Sequence, residues 1–160
     1  MAIPGYLFLT DENGKIIRGG VNVRGRENSI EILGYDHCIS LPVDDGNGNV
    51  TATRHHIPFM IEKEVDSSTP FLYQALTTGK MLRSAELKLY NINYSGQEEE
   101  YFNILMENVH VVNISPVMFD IKDRSKEKFN HMEAVEFRYQ TIGWRYLDGN
   151  IIYRDDWNQR

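Results

Sequence analysis

Cys38 is the only cysteine in 160 residues, so an intramolecular disulfide is excluded and the fold must rest on its hydrophobic core. No window approaches the ~20 consecutive apolar residues that a membrane helix needs. Met1 to Thr10 has no basic stretch followed by a long apolar one, so the sequence reads as made in the cytoplasm, without a secretory signal and without membrane insertion. Any route out of the cell is then unconventional. Concentrated positive charge is also missing. Seventeen Lys and Arg stand against twenty-three Asp and Glu, a net charge of −6, which argues against nucleic acid as a partner because phosphate binding needs clustered cations. What is present suits one soluble domain over residues 1–160: 41% of positions are apolar and 25% charged. A chain of this size buries about 70% of the surface it exposes when unfolded.

The dominant pattern is period-two alternation in Val-, Ile-, Tyr- and Phe-rich stretches separated by Gly, Asn and Asp clusters, the signature of antiparallel strands. A first strand is expected over about Ile3–Leu9, with Asn13-Gly14 turning the chain into Ile16-Ile17. From Ser29 to Leu41 the apolar phase changes, which a bulge near Leu33-Gly34 would resolve. Tyr35, His37, Ile39 and Leu41 are then expected to face the core. A polar loop at Asp44–Asn49 leads to a strand through Ile57, Phe59 and Ile61. The one helix is expected from Ser68 to Thr78, with Ser and Thr hydroxyls capping its free amides, Pro70 in the first turn and Gly79 after the last. Its apolar face reads Phe71, Leu72, Ala75 and Leu76. Further strands are expected over Leu82–Ile92, Glu99–Met118, Val135–Thr141 and Ile151–Tyr153, with a charged loop at Asp120–Asn130. The fold class is mainly β, barrel-like from two antiparallel sheets, with one helix packed on the side.

Motifs that could carry chemistry fail on spacing. His37-Cys38 places the two side chains on opposite faces of a strand, so the imidazole cannot activate the thiol, and Cys38 reads as structural. His55-His56 suffers the same geometry and has no third metal ligand nearby. Asp45, Asn47 and Asn49 imitate the start of a calcium loop, but Val50 and His56 stand where glycine and glutamate are required. Gly20 and Gly25 have Walker spacing, yet Arg26-Glu27 replaces the phosphate- and magnesium-binding pair. Glu98-Glu99-Glu100 reads as a solvated strand start. No catalytic, cofactor-binding or metal-binding residue is nominated. Two-faced strands nonetheless leave edges that must be blocked or paired with another copy.

Arg54-His55-His56-Ile57-Pro58-Phe59 and the string from Lys63 through Asp66, Ser68, Pro70, Leu72-Tyr73, Ala75-Leu76 and Gly79 resemble the haemolysin-coregulated protein (Hcp) family of bacterial type VI secretion systems. The likeness continues through Glu100-Tyr101-Phe102, His131-Met132-Glu133, Trp144, Asp148-Gly149 and Asp156-Trp157, and spans nearly the whole chain. It implies a tube subunit: six copies close into a ring, rings stack inside a contractile sheath, and the tube carries effectors in its lumen and a valine–glycine-repeat spike at its tip. Sheath and baseplate proteins are further implied partners, and the subunit is itself ejected. A ring needs two complementary surfaces on each copy. Strand parity with this analogy makes Asp36, Cys38 and Ser40 candidates for lining the channel. Asp45, Asn47, Lys122, Arg124 and Lys126 are candidates for ring or stacking contacts. The competing reading is a monomeric β-barrel that binds a peptide or small ligand in one apolar pocket.

Overall fold

The computed structural model describes residues 3–159, which form β1 (Gly5–Thr10), β2 (Ile16–Ile17), β3 (Ile30–Ile32), β4 (Gly34–Asp36), β5 (Ile39–Ser40), β6 (His55–His56), β7 (Phe59–Glu64), α1 (Thr69–Thr78), β8 (Met81–Ile92), β9 (Glu98–Val117), β10 (Met132–Arg138), β11 (Thr141–Tyr146) and β12 (Ile151–Asp156). Every strand pairing is antiparallel. Ten strands make one sheet, ordered β2-β1-β8-β9-β10-β7-β4, with β3 also on β1, β11 on β9 and β12 on β11. Strands β5 and β6 form a separate two-stranded sheet.

The large sheet curls because one segment serves both of its ends. Ile30–Ile32 pairs with β1, whereas Gly34–Asp36 pairs with β7. The Leu33 amide already donates to the Glu62 carbonyl at 2.8 Å, so the phase change expected near Leu33-Gly34 is the point where the chain leaves one edge for the other. The result is barrel-like, although the ladder breaks at that crossing. Inside lie Leu7, Leu9, Ile30, Phe59, Ile61, Leu87, Met106, Val135, Phe137 and Ile142, all essentially inaccessible, and each large side chain contributes about 1.5–3 kcal/mol relative to exposure.

The stretch expected as one strand through Tyr139 and Thr141 is two. Strand β10 pairs with the far half of β9 and β11 with its near half. Between them Gln140 donates its amide to the Glu107 carbonyl at 3.1 Å and accepts from the Asn108 side chain at 2.7 Å. Asn108 has a φ of 52°, a left-handed conformation that asparagine adopts more readily than most residues, and it sits where β9 changes partner from β11 to β10.

Helix α1 ends as expected on Gly79, whose φ is 66° and suits a residue without Cβ. Two details differ from expectation. Ser68 makes no side-chain cap to the helix amides; the Asp66 carboxylate instead accepts from the Ser68 amide at 2.9 Å and from its hydroxyl. The stronger acceptor takes the hydroxyl. Phe71 is exposed while Leu72 and Ala75 are buried, because a helix advances about 100° per residue and Phe71 falls off the stripe that Leu72, Ala75 and Leu76 share.

The helix start is tied to the barrel by a buried charge cluster. Lys63 on β7 and Glu133 on β10 are both buried and form an ion pair. Lys63 Nζ lies 3.1 Å from Asp66 and 2.9 Å from the Glu64 carbonyl, while Thr69 donates to Glu133 at 2.8 Å. Such a pair is costly to break, because removing one partner leaves an uncompensated buried charge.

Candidate functional site

After Asp36 the chain leaves the large sheet and rejoins it at Phe59, where β7 begins. Between them it forms an arm whose pairings run Ile39 with His56, Ser40 with His55 and Val43 with Val50. The turn at its tip is held by its own polar groups: Asp44 accepts from the Gly46 amide at 2.8 Å and the Asn47 amide at 3.1 Å, and Asn47 accepts from Asn49 at 2.9 Å. Of the residues that resemble calcium ligands, Asn47 thus serves the turn with its side chain, beside Asp44. Ile39, Leu41, Val43 and Val50 are all exposed. This corrects the expectation that Tyr35, His37, Ile39 and Leu41 line the core. Tyr35 stacks on Phe59 at 5.4 Å between centroids and His37 lies 5.0 Å from the same ring, but Ile39 and Leu41 belong to the arm, where alternation has no interior to face.

The root of the arm is locked by a polar chain. Tyr139 is buried, and its hydroxyl lies 2.8 Å from His37 Nε2 and 2.6 Å from His56 Nδ1. His56 Nε2 is 2.8 Å from Asp155 Oδ2. A carboxylate only accepts, so His56 donates from Nε2 to Asp155; in the neutral ring Nδ1 then accepts from the Tyr139 hydroxyl, whose oxygen accepts from His37. One direction of donation satisfies all four groups. Arg54 donates from Nε to Asp155 at 2.6 Å and from its terminal nitrogen to the Asp156 and Gln159 carbonyls. Trp157 donates its indole N–H to the Tyr139 carbonyl. The arm, β10 and the chain beyond β12 thus meet at one point.

Charge follows from this packing. Burial raises the Tyr139 phenol far above its usual range, reinforced by the charge of Asp155, so it stays a neutral donor. Burial, with a smaller contribution from His56, lowers the His37 imidazole below its ordinary value against the opposing effect of Asp36. The hydrogen bond from Arg54 holds the Asp155 carboxyl below its ordinary value, and burial only partly offsets it. Beside the root lies a cavity of about 620 Å³ lined by residues that include Arg54, Ile57, Arg138 and Trp157.

The charged loop at Asp120–Asn130 emerges elsewhere. Strand β7 runs antiparallel to β10 with Phe59 opposite Phe137 and Glu64 opposite Met132. The arm joins the Phe59 end, and the loop joins the Met132 end. Five residue steps separate those ends, about 17 Å at the usual strand rise. The loop contains a short 3-10 turn at Arg124–Lys126 capped by Asp123, which accepts from the Ser125 amide at 2.9 Å and hydroxyl at 2.7 Å. Met118, Phe119, Ile121 and Phe129 help to line a cleft of about 400 Å³ here, and Lys126 Nζ sits 5.0 Å from the Phe119 ring centre and 5.6 Å from that of Phe129.

The residues singled out from the sequence therefore fall in three places. Asp36, Cys38 and Ser40 are exposed at the arm's root, Asp45 and Asn47 are at its tip, and Lys122, Arg124 and Lys126 lie at the other end of the barrel. Cys38 is a free, exposed thiol, so it does not serve as a packed structural residue. Sequence reasoning missed Tyr139, Arg54, Asp155 and Trp157. Tyr139 lies inside the alternating stretch Val135–Thr141 with nothing to set it apart, and the ion-pair partners Arg54 and Asp155 lie about a hundred positions apart.

A family profile described as "Type VI secretion system effector, Hcp" matches residues 6–146. The chain is 30% identical over 166 residues to the "Major exported protein" of Pseudomonas aeruginosa, covering 98% of this chain and 96% of that one. It is similar to the solved structure of the Hcp1 protein from the E. coli EAEC 042 pathovar, with 51% identity, a TM-score of 0.87 and coverage of 98% and 99% of the two chains. The secreted protein Hcp3 of Pseudomonas aeruginosa is similar at 25% identity and a TM-score of 0.76, covering 98% and 99%.

Proposed function

This chain belongs to the Hcp family of type VI secretion proteins, and on that premise we propose that it is a structural subunit of the inner tube, a single domain over residues 1–160 with no catalytic role. Six copies close into a ring, rings stack, and the tube carries effectors in its lumen before being ejected with the valine–glycine-repeat spike from within the sheath and its baseplate. The subunit is made in the cytoplasm and leaves without a signal peptide or membrane insertion. Family membership is the observation that carries the reading. Two physical features support it. The arm holds Leu41, Val43 and Val50 in solvent, a burden on a monomer that a neighbouring copy relieves. Strand β12 adds an outer edge with Ile151, Ile152 and Tyr153 exposed, and natural proteins protect such edges or pair them.

On this reading Asp36, Cys38 and Ser40 face the channel, where a polar lining lets folded cargo bind and leave. Asp45, Asn47, Lys122, Arg124 and Lys126 serve contacts between copies. Negative-stain images of the purified protein are expected to show rings, and untagged protein is expected in the medium only when the secretion machine is intact. A stable monomer at high micromolar concentration, binding a peptide in the cavity beside Arg54 and Trp157, would favour the binding-module reading instead.

A further inference from the structure

We propose that the root of the arm is a proton-operated latch, which holds the arm to the barrel while at most one of His37 and His56 is charged and releases it when both are. The latch lies within one copy, so it goes beyond the tube-subunit reading and does not depend on it.

Three observations carry it. The first is placement. His37 lies on the outgoing limb of the arm, just before β5, and His56 on the returning limb, in β6. Both rings reach one atom, the hydroxyl oxygen of buried Tyr139, at 2.8 and 2.6 Å. A single phenol at the end of β10 therefore pins both limbs. The backbone bonds nearby, from the Ile57 amide to the Cys38 carbonyl at 3.1 Å and along the β5–β6 ladder, join the limbs to each other and not to the barrel.

The second is proton count. A phenol carries one hydrogen and accepts at its oxygen. With His37 charged, its Nε2 donates to that oxygen and the hydroxyl donates to His56 Nδ1. With His56 charged instead, Nδ1 donates and the hydroxyl turns to donate to His37 Nε2, whose ring then keeps its proton on Nδ1. One charge is accommodated either way. With two charges both nitrogens donate to the same oxygen, and the hydroxyl hydrogen is left between two cations with no acceptor, a costly state when buried. Ionising the phenol would relieve this, but burial and the charge of Asp155 hold it protonated.

The third is the surrounding charge. Asp36 favours a charged His37, yet burial and His56 oppose it. Asp155 lies 2.8 Å from His56 Nε2, but Arg54 Nε shares the same carboxylate oxygen at 2.6 Å. Arg138 donates to the His56 carbonyl at 2.8 Å, and the Asp156 carboxylate is engaged by the Asn158 amide at 2.9 Å. Tyr35, which stacks on the same Phe59 ring as His37, is a neutral phenol that burial keeps protonated, and His55 is exposed. Two arginines thus already answer the two carboxylates Asp36 and Asp155, and no anion is left to offset a second imidazolium.

Cys38, the chain's one cysteine, is exposed beside His37, so a nitroxide attached there reads the motion of the outgoing limb by electron paramagnetic resonance. Full-length protein is followed from pH 7.5 to 4.5, above the ordinary carboxylate value of 3.8, while histidine-ring nitrogen-15 shifts count the charges on His37 and His56. The mobile fraction is expected to stay flat as the first ring charges and to rise at least threefold as the second does. His37→Gln and His56→Gln each keep a donor and an acceptor without titrating, and each is expected to hold the nitroxide still at pH 4.5. Near-ultraviolet dichroism is expected to persist throughout, and its loss in step with mobility would overturn the latch in favour of general unfolding. Mobility that rises with the first charge, stays flat after both rings are charged, or rises equally in wild type and both variants would overturn it as well.

Discussion

Ile61 and Ile39 occupy matching places in alternating apolar patterns, yet Ile61 is wholly buried and Ile39 is 36% exposed. The difference lies in what surrounds each strand. Strand β7 sits between β10 and β4 with the core beneath it, whereas Ile39 pairs only with the other half of its own arm. Alternation tells a strand which face is apolar. It does not tell whether that face meets the protein's own interior or another molecule.

That contrast is sharpest in mutation. Phe137→Ala in the barrel should lower unfolding free energy by about 3–5 kcal/mol, read by urea titration. Leu41→Ala on the arm should stay within about 0.5 kcal/mol of wild type while weakening association between copies. Equal losses from the two would erase the distinction. Glu133→Ala, which leaves buried Lys63 with Asp66 as its one remaining carboxylate, should cost about 1–3 kcal/mol, whereas replacing the exposed Glu12, whose pair with Lys80 is open to solvent, should cost under about 1 kcal/mol.

At the arm's root, where barrel and arm meet, the effect should be intermediate. Tyr139→Phe removes the hydroxyl that His37 and His56 share, leaving a buried donor and acceptor unpaired at about 1–3 kcal/mol. Cleavage by trypsin after Arg54 should quicken, and an unchanged digestion rate would mean that the hydroxyl does not hold the arm.

A smaller effect should appear with pH. The folded state lowers the His37 imidazole below its ordinary value of 6.5, so the unfolded chain binds the proton more readily. Stability is therefore full above that value and declines as pH falls through it toward the lower folded value. Asp155, also held low, adds a second decline in the acid range below the ordinary carboxylate value. His37→Asn should narrow the difference between urea midpoints at pH 7.5 and 5.5. Smallest of all, Phe71→Ser on the exposed side of α1 should shift stability by no more than about 0.5 kcal/mol.

Most of the barrel was legible because burial and period coincide. Leu7 and Leu9, Leu87, and Val135 with Phe137 announce their strands, and Pro70 and Gly79 bracket the helix. Boundaries slipped where a local side chain overrode the pattern, as at Asn108 and Gln140, which split one expected strand into two. The arm was misread because parity was carried past Asp36 as though the sheet continued. The root network was the least legible part. His37, His56, Tyr139 and Asp155 become neighbours only once three separate stretches fold together, and no local spacing signals that. The Arg54-His55-His56 and Asp156-Trp157 strings pointed to the region through resemblance, but not to the chain of donors and acceptors between them.

On the tube reading, the arm and the exposed strand edges are covered by other copies. Native mass spectrometry of the untagged, full-length protein tests it most directly. The account predicts a dominant species of six chains of 18.6 kDa, and a single chain persisting across the accessible concentration range would contradict it.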